Sequence, residues 1–213
     1  MLAESSRLAK LVCVETIDRS YFSNGGDALP QSCERVAIDR KKGRYKPELV
    51  STDRVRVEVR FSQDREIYSW TGLGPRSHPV DDILDLGPVG TGAFAAHLLD
   101  IFSNPAVRFR LRDEKPDTLQ FGFRVPVDAS HFQVAAGAEW VRAGYTGSFD
   151  IDPVSLAVRR FMIETGELPP ETSLCEASAT HQYENREAAD AWRLPSESRS
   201  RQILRDEIGR AHV

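Results

Sequence analysis

Apolar and polar residues alternate along most of this chain with a period of two. Val55, Val57, Val59 and Phe61 are separated by Arg56, Glu58 and Arg60, the pattern of a strand with one buried and one wet face. The same alternation sets Val107, Phe109 and Leu111 against Arg108, Arg110 and Arg112, and gives Leu119, Phe121, Phe123 and Val125 a common face. It returns where Tyr145, Gly147, Phe149 and Ile151 alternate with Thr146, Ser148, Asp150 and Asp152. Turn residues separate these runs at Ser62-Gln63-Asp64, Pro116-Asp117 and Asp152-Pro153, so Glu66 to Trp70 and Leu156 to Glu164 read as returning hairpin strands. Leu11 to Tyr21, rich in β-branched residues, is a further strand. So is Ser173 to Tyr183, where Cys175, Ala177, Ala179, His181 and Tyr183 share a parity. His131 to Arg142 reads as two strands meeting near Gly137, and Trp192 to Leu194 and Arg201 to Leu204 as short final strands. Ser23 to Asp53 is the least regular region, expected as a solvated loop with a short strand near Arg35 to Ile38.

One segment has a helical period. Phe94, Leu98, Ile101 and Phe102 recur at that spacing between Thr91, a capping residue, and Asn104-Pro105. The Gly- and Pro-rich loop from Thr71 through Gly87, Gly90 and Gly92 leads into it. About ten strands with turns too short for parallel crossovers predict a mainly β fold. The expected form is a strongly curved, half-open antiparallel sheet or barrel, with one main internal helix at about 91–102. A single domain is expected over 1–213, with a frayed tail at about 205–213.

Four stretches carry a resemblance: Leu11 to Arg19 (LVCVETIDR), Gly92 to Phe102 (GAFAAHLLDIF), the hairpin Tyr145 to Arg159, and Trp192-Arg193-Leu194-Pro195. Together they are similar to LolA-like proteins, the periplasmic carriers of outer-membrane lipoproteins. They are closer still to uncharacterised, mainly acidobacterial secreted proteins of that architecture. The resemblance implies a half-open antiparallel barrel with an internal helix in a bacterial cell-envelope protein. It implies nothing catalytic, and no arginine here is matched to the acyl-chain arginine of the carriers.

Composition narrows the classes. The chain has 213 residues, 40% hydrophobic and 28% charged, enough for a sizeable core. A net charge of -4 argues against nucleic acid as a main partner. No apolar run approaches the roughly 18 residues of a membrane-spanning helix, and a monomer is expected. Three cysteines, Cys13, Cys33 and Cys175, leave three internal pairings open, and Cys13 and Cys175 also suit burial as small apolar residues. The N-terminal stretch as written has no basic-then-apolar leader, which reads as cytoplasmic. The strand pattern begins almost at once, however, as if something upstream were missing; together with the resemblance, this makes the expectation a periplasmic or secreted protein, cytoplasmic if the start is as written.

Catalytic patterns are weak. The histidines His78, His97, His131, His181 and His212 show no zinc spacing, and no serine or cysteine nucleophile signature is present. His78, Asp81 and Asp82 form the best metal-like cluster, read more simply as a solvated turn. No enzyme activity, metal or cofactor is therefore expected, an envelope hydrolase being the weaker rival. With the resemblance, the expected function is binding of a lipid, acyl chain or lipidated partner in a hydrophobic concave sheet lined by Trp70, Phe94, Leu98, Phe102, Phe109, Phe121, Phe123 and Phe149. The alternative is a protein-interaction or sensor domain with a filled core, which reads its partner through the arginine-bearing wet face.

Overall fold

The structure, a computed structural model, describes residues 12–24, 32–62, 65–71, 101–130, 132–136, 139–166, 168–169, 172, 174–183 and 195–204. It is mainly β, with antiparallel sheets that do not close into a barrel, as the alternation predicts. The chain clusters into two compact units, Lys10–Val89 with Leu204–Val213, and Met1–Ala9 with Gly90–Ile203.

The first unit holds a three-stranded sheet of β1 (Val12–Asn24), β2 (Pro47–Ser62) and β3 (Arg65–Trp70), with β2 in the middle. Val55, Val57 and Val59 are buried with Ile17, and Cys13, Tyr68 and Trp70 pack against them. Arg56 and Arg60 face solvent. β2 and β3 pair in register from Val57 with Trp70 to Ser62 with Arg65.

Between β1 and β2 the structure corrects the expected loop and short strand near Arg35 to Ile38. Cys33–Lys41 is an α-helix, α1. Its periodicity is hidden because only Val36 and Asp39 are buried. Local polar contacts hold it instead. Ser32 caps the N-terminus by accepting a hydrogen bond from the Arg35 amide at 3.2 Å. Asp39 binds Arg35 one turn back at 2.8 Å and Arg44 beyond the helix at 2.7 Å. Burial pushes the Asp39 carboxyl up, but the two arginines more than offset this and hold it below its usual range. Gly43, with φ 65°, ends the helix in the left-handed region that suits glycine. Cys33 is in disulfide form.

The second unit is built on a six-stranded sheet in the order β11-β10-β9-β8-β5-β4. These strands are β4 (Arg108–Lys115), β5 (Thr118–Val125), β8 (Tyr145–Ile151), β9 (Val158–Thr165), β10 (Leu174–Gln182) and β11 (Glu197–Leu204). Between β5 and β8 the chain makes the separate hairpin of β6 (Gln133–Ala136) and β7 (Glu139–Arg142), the two strands expected about Gly137. Val134, Ala143 and Leu174 form a small buried cluster there. Of the helix expected at about 91–102, residues 91–100 lie outside the described residues; Ile101, Phe102 and Ser103 are helical. Asn104 follows as anticipated, its side-chain oxygen accepting from the Ala106 amide at 3.0 Å and its amide group donating to the Ala129 carbonyl at 2.7 Å. Cys175 is half-buried in β10 and is in disulfide form, which corrects its reading as a buried thiol. Residues 192–194 and 205–213 lie outside the described residues.

Candidate functional site

Strand register assembles the aromatic residues into rows. Leu111, Phe121, Phe149, Phe161 and His181 lie opposite one another across β4, β5, β8, β9 and β10. The next row is Phe109, Phe123, Gly147, Ile163 and Ala179. Both rows occupy one face, because residues paired across strands project to the same side. Phe102, from the helical turn, joins this face with its ring 5.6 Å from Phe109 and 5.2 Å from Phe149. Phe149 also meets Phe121 at 5.3 Å and Phe123 at 6.2 Å, and Phe123 stacks on Phe161 at 5.7 Å. Such ring pairs each contribute about 0.5–1.5 kcal/mol beyond area burial.

Depth divides this face. Phe161, Phe123 and Phe149 are 1%, 4% and 5% exposed, and they form one core with Ile101, Val107, Val125, Tyr145, Val158 and Ile163. At the β4 margin Phe109 is 43% exposed and Leu111 46%. Phe102 and Phe121 are half-buried between the two zones. The interior therefore closes on itself ring against ring, while the β4 margin stays open.

Among the residues expected to line a cavity, the structure brings together Phe102, Phe109, Phe121, Phe123 and Phe149. Trp70 packs in the separate cluster of the three-stranded sheet. Phe94 and Leu98 lie outside the described residues. Phe161 and Tyr145 are as central as any expected residue. Their signal was parity within the hairpin at Asp152, but alternation alone does not say which residue of the returning strand lands beside Phe149.

Among the described residues, His181, Tyr183 and Asp152 are titratable groups around the aromatic face. His181 is 2% exposed, with Nδ1 2.8 Å from Ser198 Oγ and its ring stacked on Phe161. The contact ties β10 to β11. Tyr183 packs against the same core, and burial pushes its phenol well above the ordinary range. At the hairpin turn, Asp152 accepts from the amides of Ser155 and Val154 and from Arg159, and this holds its carboxyl down at about 2. Among the described residues no three histidine, cysteine or acidic side chains gather as a metal site. His78, Asp81 and Asp82 lie outside those residues. No described helix is long and apolar enough to cross a membrane, which says nothing of spanning by strands.

The chain matches no family model, no curated protein and no solved structure.

Proposed function

We propose that this protein is a cell-envelope binding module for a lipid, an acyl chain or a lipidated partner, taken along the open margin of the aromatic face. The observation that carries this reading is the continuity of exposed Phe109 and Leu111 with the buried ring cluster. An apolar chain laid there meets aromatic rings on one side without displacing the core. Each buried methylene contributes about 0.8 kcal/mol, so a slot covering about ten gives on the order of 8 kcal/mol. Association costs of at least about 4 kcal/mol oppose this, so uptake is weak and reversible. Cys33 and Cys175, both in disulfide form, support an oxidising compartment, as an exported protein would meet.

The close ring packing around Phe149 favours a second reading, an interaction domain with a filled core. Native mass spectrometry with added fatty acids and lipopeptides separates the two. On the lipid reading, wild-type protein gains ligand mass, and the double substitution Phe109→Ser with Leu111→Ser abolishes the gain while the protein stays folded. A protein that remains unliganded throughout leaves the interaction domain.

A further inference from the structure

The opposite face of the six-stranded sheet gathers four arginines side by side, whereas the other described arginines without an ion pair, Arg56, Arg142, Arg160 and Arg201, are spread over β2, β7, β9 and β11. Arg19, Arg35, Arg44, Arg54, Arg60, Arg159 and Arg199 all pair with a carboxylate. Arg108, Arg110, Arg112 and Arg124 are exposed, and among the described residues none of them is ion-paired. Among the described residues Arg108 donates to the carbonyls of Pro105 and Val107.

Register makes the cluster dense. Arg108 and Arg124 are direct partners across β4 and β5, an arrangement of like charges that opposes folding. Arg110 faces Gly122, and the Arg112 guanidinium lies over that glycine, where any Cβ would collide with it. Of the acids on this side, Asp113 is paired with Lys115, Asp150 accepts from Gln120 and keeps its charge, and Glu164 stands two strands from Arg124 in the same row. This basic patch stands in a chain whose net charge is -4.

We propose that Arg108, Arg110, Arg112 and Arg124 form a docking surface for the anionic headgroups of a lipid bilayer. Charges on an edge strand also guard it against pairing with other chains. That role leaves Arg124 unexplained, because β5 lies inside the sheet between β4 and β8. An extended acidic peptide added to the β4 edge fits poorly, because the ladder is interrupted by a bulge between Leu111 and Asp113. A bilayer surface needs no continuous ladder. It matches a strand exposed along its whole length, whose arginines project together from the face opposite Phe109 and Leu111. The surface is independent of the acyl-chain reading, because headgroup binding calls on the arginines whether or not a chain enters the aromatic margin.

Sedimentation with vesicles tests this. Wild-type protein is expected to bind phosphatidylcholine vesicles containing about a third phosphatidylglycerol at low salt. It is expected to be released at about 0.5 M salt and to ignore pure phosphatidylcholine. Arg110→Gln and Arg124→Gln should each weaken binding about fivefold, the equivalent of roughly 1 kcal/mol per cation near the surface. The pair Arg199→Gln and Arg201→Gln removes two charges, more than either single variant, from β11 at the far edge and should change little. Three results overturn the proposal: no binding to anionic vesicles, equal binding to neutral ones, or losses no greater in the β4–β5 variants than in the β11 variant. Capture of an acidic protein without vesicle binding also counts against it.

Discussion

The two sheets bury their inner faces by different means. The six-stranded sheet does it with stacked rings, Phe121, Phe149 and Phe161 in one row and Phe109 and Phe123 in the next. The three-stranded sheet uses compact valines and then accepts a charge. Arg19 lies directly across from Asp53, only 6% exposed, and donates two hydrogen bonds to the carboxylate at 2.8 and 2.6 Å. Tyr21 adds a third donor to that carboxylate and lies under the guanidinium. Alternation places both kinds of residue on a buried face with equal clarity. What differs is whether the cross-strand partner is another ring or a counter-charge, and that depends on register.

The sharpest way to break this contrast is to truncate one residue in each core. Phe161→Ala removes a ring that is 1% exposed and stacked on Phe123, and should cost about 3–5 kcal/mol. Val57→Ala, at 0% exposure, should cost only about 2 kcal/mol, because two methyl groups are lost rather than a ring. Urea unfolding of both variants gives the comparison, and a larger loss at Val57 would invert it.

The buried charge comes next. Asp53→Ala takes the bidentate acceptor from Arg19, whose side chain is 4% exposed, while Asp53 itself is 37% exposed. Water reaching that side limits the cost to about 1–3 kcal/mol, below that of breaking a fully buried pair. Asp18→Ala, in the solvent-exposed pair with Arg54, should cost clearly less by the same denaturation assay. Equal losses for the two aspartates would show that register does not bury the Arg19 charge effectively.

The smallest effect lies in the β8–β9 turn and is read by pH. The Asp152 carboxyl titrates at about 2 in the folded protein against 3.8 without its partners. Its contribution is therefore complete above about pH 4 and drains as pH falls toward 2. Asp152→Asn should flatten that part of an acid-unfolding curve and leave the neutral region parallel to wild type.

Sequence made the strands legible wherever one face is apolar and the other charged, as in β2, β5 and β8. It failed for α1, whose residues Cys33–Lys41 bury only Val36 and Asp39. No apolar stripe exists there to give a helical period, and the cap at Ser32 and the Asp39 bridges act through geometry that spacing does not announce. The aromatic site was legible as a set of phenylalanines. Its division into a closed interior and an open margin was not, because edge placement of β4 follows from the pairing of β5 with β8 across an inserted hairpin. Nothing in the alternation of Phe109 and Leu111 distinguishes an edge strand from a central one.

Gly147 bears on how the sheet finds that pairing. It faces Phe123 on β5, whose ring fills the space a side chain would occupy, and a Cβ there would also meet the Met162 carbonyl. Sliding β8 by two residues preserves the inward and outward faces, so hydrophobicity alone does not reject the slipped alignment. The slip would bring Tyr145 or Phe149 opposite Phe123, where the native pairing needs a bare backbone. The glycine thus works as a keyway: among alignments of equal parity it admits one. The β5–β8 contact also closes a long loop, a slow event in folding. A notch of one missing methyl group therefore carries alignment information that the apolar pattern on either side lacks.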